Sequence, residues 1–266
     1  MQFASLQHDI AWEDPAATRK IIERSLEGCG LPAGSFLLLP ELGETGFSVA
    51  LDRVAGRGGV AWAAELARSR GWFVQVGHAE IGADRRGRNR ATVIDQEGRV
   101  LGDYDKIHPF SFAGEDRHYG PGERILLVEA GGFTVCPLIC YDLRFPELWR
   151  LAARAGAEVF TIGASWPAAR AAHWRQLAVA RAIENQAFVV ACNRVGRDPN
   201  HAYAGGSLVV SPLGEILAEG GEAAALVEAG LDRSTLLEWR QTFPAMRDRR
   251  DSMLGTVSVD DRRGRR

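Results

Sequence analysis

The order of segments in this chain predicts an α/β protein in which helices cover sheets. Short β-branched or apolar runs alternate with longer stretches whose apolar residues recur at helical spacing. Glycine- or proline-containing joints separate them, as at Gly30-Leu31-Pro32 and Pro212-Leu213-Gly214. No internal repeat or linker interrupts the pattern. At 266 residues, 46% hydrophobic and 25% charged, the chain can bury one large core.

Met1 opens directly onto a strand-like segment, without the charged region and apolar run of a signal peptide. Residues 15–27 follow as a helix and 36–40 (FLLLP) as a strand. A second helix is expected over 58–70, then strands over 72–79, 90–95 and 133–139. The helix at 145–155 carries one apolar stripe, Phe145, Leu148, Leu151, Ala152 and Ala155. A strand at 157–164, a helix at 170–184 and a strand at 187–193 complete the alternation. Residues 1–246 read as one domain. The stretch 247–266 is dense in Arg and Asp and reads as a mobile or partner-bound tail, which base rates favour over a nucleic-acid contact.

A net charge of −2 gives no global field toward nucleic acid or an anionic membrane. The longest apolar stretches, such as 133–141, fall far short of the roughly 20 residues that span a bilayer. Cys29, Cys136, Cys140 and Cys192 are too few and too scattered for a disulfide framework, so a reduced, cytoplasmic protein is expected. Arginine occurs 30 times and lysine twice, at Lys20 and Lys106. Against that bias a retained lysine hints at a site that needs an ammonium, although Lys20 reads as a surface helix residue.

Three segments carry chemistry. In FTVCPLICYDLRFP (133–146) a buried run ends at Cys140 and a helix begins about five residues later. A cysteine on such a turn lies near backbone N–H groups that stabilise a thiolate and a developing oxyanion. Alone, Cys140 reads more readily as a small buried hydrophobe than as a nucleophile. Cys136, four residues earlier, suggests a metal pair, but the spacing is not Cys-x-x-Cys and no nearby histidine completes a set. In FLLLPELGETGF (36–47), Glu41 follows an apolar strand and a proline, a place where carboxylates commonly face a crevice. Burial there suits a general base, with a turn cap as the alternative; Glu44 lies further into the loop. The third segment, Tyr104-Asp105-Lys106-Ile107-His108-Pro109, leaves a strand for a long loop. Lys106 by itself reads as a surface residue. His108 invites a Cys–His dyad, but no Cys-Gly-Ser-Cys-Trp segment exists and the order along the chain is wrong for that family.

In the order Glu, Lys, Cys, these segments resemble the nitrilase superfamily over residues 1 to about 245. The omega-amidase branch is the nearest in Leu39-Pro40-Glu41, Tyr104-Asp105-Lys106, the run Cys140 to Glu147, and Trp166-Pro167. Arg181-Ala182-Ile183-Glu184-Asn185-Gln186 and Cys192-Asn193-Arg194-Val195-Gly196 fit the same pattern.

The resemblance implies a four-layer α-β-β-α sandwich and a homodimer packed through the helices after Cys140 and Pro167. It implies a fourth catalytic residue, Glu115, which positions the lysine or the hydrolytic water; apart from the family, Glu115 reads as a surface loop carboxylate. Cys140 then attacks a small amide, Glu41 moves the proton, and Lys106 with the N–H of Tyr141 holds the oxyanion, with no metal or organic cofactor. The expected substrates are 2-oxo-glutaramate or 2-oxo-succinamate. Arg170 and His173, at helical spacing, are candidates for the remote carboxylate, or else a surface or interface pair. Phe47 and Trp166 are candidates for the pocket wall, or else core. Deaminated-glutathione amides, aliphatic amides, N-carbamoyl compounds and nitriles remain as substrates within the family. A non-catalytic binding module and a redox-sensing thiol protein remain outside it.

Overall fold

A computed structural model describes residues 1–264; Arg265 and Arg266, the end of the expected tail, lie outside the described residues. In chain order the strands are β1 (Gln2–Gln7), β2 (Phe36–Leu38), β3 (Phe73–Ile81), β4 (Gly87–Ile94) and β5 (Val100–Asp105). They continue as β6 (Arg124–Ala130), β7 (Phe133–Ile139), β8 (Val159–Ala164), β9 (Phe188–Asn193) and β10 (Val195–Arg197). Last come β11 (Ala202–Ala204), β12 (Leu208–Val210), β13 (Ile216–Glu219), β14 (Ala225–Gly230) and β15 (Ser258–Asp261). The helices are α1 (Pro15–Ser25), α2 (Leu51–Val54), α3 (Gly59–Arg70), α4 (Glu115–His118), α5 (Pro146–Arg154), α6 (Ala171–Asn185) and α7 (Arg233–Thr242).

Two large sheets result, ordered β14-β1-β2-β3-β4-β5 and β13-β12-β9-β8-β7-β6-β15, with β10-β11 as a separate hairpin. Strands β1, β2 and β3 run parallel in the first sheet, and β7, β8 and β9 in the second. Side chains alternate across each strand. Phe3, Phe36 and Leu38 therefore enter a core shared with the second sheet, while Ala4, Leu6, Leu37 and Leu39 pack outward against Ile22 of α1 and Ala63 and Ala67 of α3. The outer face of the second sheet is covered by Leu148, Trp149 and Ala152 of α5 and Trp174, Ala178 and Ala182 of α6. This is the α-β-β-α sandwich that the sequence led us to expect. Burying one such side chain contributes about 1.5–3 kcal/mol, against about 0–1 for an exposed ion pair, so apolar packing holds the layers together.

Local chemistry sets the boundaries. Asp14 caps α1 by accepting the N–H of Ala17, with Pro15 in the first turn. The expected strand 36–40 stops at Leu38, because Pro40 has no N–H to continue the ladder. Within the charged tail, residues 258–261 form an edge strand parallel to β6, and the Arg262 N–H continues the pairing to the Leu127 carbonyl at 2.9 Å. A strand this short and acidic carries no hydrophobic period to announce it.

Two glycines let the sheets close on one segment. A methyl group at Gly163 of β8 would sit 2.7 Å from the Leu39 carbonyl and 3.1 Å from the Glu41 nitrogen. One at Gly77 of β3 would sit 2.5 Å from the Pro40 carbonyl and 3.1 Å from Glu41 Cα. The backbone leading into Glu41 thus threads between the sheets where no larger residue fits.

Candidate active site

The ends of the strands meet around Glu41. It lies just past β2, Lys106 just past β5, Cys140 just past β7 and Ser165 just past β8. Lys106 Nζ donates to Glu41 Oε1 at 2.6 Å and to Glu115 Oε2 at 2.8 Å, with all three side chains essentially shielded from solvent. Asn89 of β4 joins them: its amide nitrogen donates to Glu41 Oε1 and to Glu115 Oε1, both at 2.8 Å. The Ser165 N–H donates to Glu41 Oε2 at 3.0 Å, and the Phe110 N–H donates to Glu115 Oε2. Glu115, buried at the start of α4, is thus an inward carboxylate and no surface loop group.

Cys140 has φ +43°, a left-handed conformation that a residue with a Cβ adopts at a cost of order 1–3 kcal/mol. The surrounding structure holds it there. Residues Cys140–Arg144 form one 3₁₀ turn, and the buried Asp142 within it accepts the Ile139 N–H, the Tyr104 hydroxyl at 2.8 Å and the His108 N–H at 3.1 Å. The Asp142 carbonyl accepts Trp149 Nε1–H, and the Leu143 carbonyl accepts the Arg181 guanidinium from α6. The N–H groups that open such a turn have no carbonyl partner within it. His108 serves this scaffold: its Nδ1 meets Asp142 at 2.8 Å and its ring stacks 3.7 Å from that of Phe145. It pairs with Asp142, and no Cys–His dyad forms.

Burial pushes the Cys140 thiol well above its ordinary range, the Glu41 charge pushes the same way, and Lys106 opposes both. Burial alone would lower Lys106, but Glu115, Glu41 and Cys140 together hold its ammonium well above the ordinary lysine value. The arrangement therefore keeps a protonated thiol beside a carboxylate, with a fixed cation between two acids. A group of this kind can transfer a proton as sulfur becomes nucleophilic, and can meet a developing oxyanion.

Cys140, Glu41 and Lys106 open onto a cleft that encloses about 430 Å³ of space, open solvent included. Phe47, Tyr141, Trp166 and Arg170 line it. His173 does not: it is exposed on α6, where its Nδ1 accepts from Arg144 at 3.3 Å. The expected spacing fails because Ala168–Arg170 form a 3₁₀ turn and α6 begins only at Ala171. Arg144 stands in the cavity wall instead, its guanidinium 4.7 Å from the Trp166 ring. Arg170 lies 5.6 Å from the Phe110 ring. Sequence reasoning also missed Asn89, Ser165, Phe110, His201 and Tyr203. Arg144 was visible within the Cys140 motif, but nothing in the pattern around Asn89 distinguishes it from a half-exposed strand residue. Glu44 points elsewhere, to a salt bridge with Arg19 at 2.9 Å. Among the described residues no group of three or more His, Cys, Asp or Glu is placed to hold a metal ion.

The sequence matches the carbon-nitrogen hydrolase family over residues 2–241. It is 36% identical to a 2-oxoglutaramate amidase of Bacillus subtilis over 93% of this chain and 97% of that one. It is also 36% identical to the omega-amidase YafV of Escherichia coli K12, over 93% and 96%. The structure superposes on XC1258 of Xanthomonas campestris, a CN-hydrolase superfamily protein, with a TM-score of 0.87 at 35% identity, covering 94% of this chain and 97% of that one.

Proposed function

This chain belongs to the carbon-nitrogen hydrolase family, and we propose that it hydrolyses the terminal amide of 2-oxo-glutaramate or 2-oxo-succinamate. It is an amide hydrolase. The substrate class comes from its similarity to a 2-oxoglutaramate amidase and an omega-amidase, together with the cavity. Two guanidiniums, Arg144 and Arg170, stand in a wall otherwise built largely of Phe47, Phe110, Tyr141 and Trp166. Arginine binds a carboxylate through paired N–H donors, which a neutral amide cannot use.

Cys140 Sγ attacks the amide carbon as Glu41 takes the thiol proton. The carbonyl oxygen becomes an oxyanion, met by the third N–H of Lys106 and the N–H of Tyr141. Glu41 returns the proton to the leaving nitrogen, the C–N bond breaks, and ammonia departs from a thioester. Water then attacks the thioester with Glu41 again as base; the C–S bond breaks, and the acid leaves with the thiol restored. Glu115 holds Lys106 throughout. The observation that carries this reading is the 2.6 Å contact of Lys106 with Glu41 beside Cys140, at the mouth of one cleft. The same reading has residues 1–246 as the catalytic domain of a cytoplasmic homodimer packed through α5 and α6, working without metal or organic cofactor.

Ammonia release from 2-oxo-glutaramate, compared with glutamine and simple nitriles, tests the proposal. Cys140→Ala should abolish it with the fold intact, whereas surviving turnover would overturn the assignment. Arg144→Ala or Arg170→Ala should raise KM for anionic amides about 10- to 100-fold, or about 1.4–2.7 kcal/mol, and spare neutral ones. Equal losses for both substrates would make the arginine structural.

A further inference from the structure

We propose that Asn89 is a positioning residue, which holds the Glu41 and Glu115 side chains in register with Lys106. The proposal rests on Glu41 being the base. Asn89 is 1% exposed and bonds both carboxylates of the cluster and the main chain of Lys106. Its side-chain nitrogen donates one hydrogen to Glu41 Oε1 and the other to Glu115 Oε1, each at 2.8 Å. Its main-chain carbonyl accepts the Lys106 N–H at 2.9 Å, which fixes the backbone from which the ammonium extends. The four side chains close a ring: Lys106 bridges the two carboxylates on one side and Asn89 on the other.

The chemistry of that ring explains the choice of an amide. Two carboxylates and one ammonium leave a net negative charge out of water. Like charges at such range favour the sharing of one proton, which would neutralise a base. A second pair of N–H donors opposes this without adding charge. A second cation there would hold Glu41 too weak a base to accept the Cys140 proton. The amide orientation is forced as well, since a flipped Asn89 would aim its oxygen at two carboxylate oxygens. The orientation that remains leaves Oδ1 buried without a protein partner. The donors also direct the proton. Glu41 Oε1 accepts from both Lys106 and Asn89, while Oε2 accepts the Ser165 N–H. The lone pair left for the thiol proton is therefore on Oε2.

Among the described residues, Cys140, Tyr119 and Tyr203 also feel the charge of Glu41. Both phenols are held protonated by burial and nearby carboxylates.

The test measures kcat, KM and the pH profile of kcat/KM for wild type, Asn89→Ser, Asn89→Asp and Glu41→Gln, with thermal melting as the check on folding. Asn89→Asp keeps the volume of the side chain should the smaller residue fail to fold. Both Asn89 variants should lower kcat about 10- to 100-fold with KM within about threefold. The acid limb of the profile should move to higher pH, further for aspartate than for serine. An unshifted acid limb in a folded variant, whatever its kcat, overturns the proposal, because a merely structural residue would leave the profile in place. Full activity in Glu41→Gln overturns instead the reading of Glu41 as base; a dead Glu41→Gln beside unaltered Asn89 variants overturns Asn89 alone.

Discussion

Lys106 shows how much a single residue type can decide. Its Nζ sits 5.5 Å from the Phe47 ring and donates to two carboxylates, which in the proposed mechanism leaves one N–H for the reacting oxygen. A compact ammonium fits that three-way geometry, whereas a planar guanidinium spreads its charge over a fork that needs more room. Lys106→Arg should therefore be nearly as damaging as Lys106→Ala, although the charge is kept. A displacement of about 1 Å at the reacting centre costs on the order of a hundredfold in rate. The check is kcat of the purified, folded variant; near wild-type turnover would remove Lys106 from the chemistry. In a chain with 30 arginines and two lysines, an ordinary surface lysine would accept arginine freely.

At the scale of elements, the site depends on strand ends from both sheets reaching one point. The two glycines beside Pro40 and Glu41 make that possible, and they yield a second prediction. Gly163→Ala should push the Leu39–Glu41 backbone away from Cys140, because the nearest atoms are backbone and cannot rotate aside. We expect kcat to fall at least about tenfold, with a stability loss of about 1–3 kcal/mol from overpacking. Steady-state kinetics together with melting separates the two effects. Unchanged kcat with lowered stability would show that the segment can shift without moving the carboxylate. The 3₁₀ turn at Cys140 is the counterpart on the other sheet: Asp142, Tyr104, Trp149 and Arg181 hold a strained residue against relaxation.

For the whole molecule, burial of titratable groups bounds stability on both sides of neutrality. Burial lowers His8 and His78 below the ordinary histidine value of 6.5. As pH falls below that value the unfolded chain takes up protons that the folded chain resists, and stability declines. Burial likewise raises Cys136, Cys140 and Cys192 above the ordinary 9.0. Above pH 9 the unfolded thiols lose protons that the folded ones keep, so stability falls by about 1.4 kcal/mol per pH unit for each group. Lys106, whose folded value also lies above its ordinary one, adds to the loss at still higher pH. The melting temperature should therefore peak between about pH 6.5 and pH 9 and drop on both sides. Calorimetry across that span checks it; a melting temperature that kept rising through about pH 10 would contradict the burial of the thiols.

Hydrophobic period and turn chemistry in the sequence were enough to establish the layered class, the helices near 15–25, 59–70, 146–154 and 171–185, and the strands that end at Glu41 and Cys140. Those signals are local, and they survive in one dimension because each apolar stripe must face a core. The motifs around Glu41, Lys106 and Cys140 were legible for a related reason: each follows a strand whose end the local pattern marks. Tertiary structure alone decided which residues complete the site. Asn89 is 48 positions from Glu41 and 26 from Glu115, and only the packing of β4 beside the cluster turns its amide toward both. His173 lost the place expected of it because a 3₁₀ turn precedes α6, a change of helical pitch that residue spacing cannot show. Arg144 gained that place because the strained turn at Cys140 carries it into the cavity wall. Distances across sheets depend on how closely two layers approach, and here two glycines set that approach around Glu41.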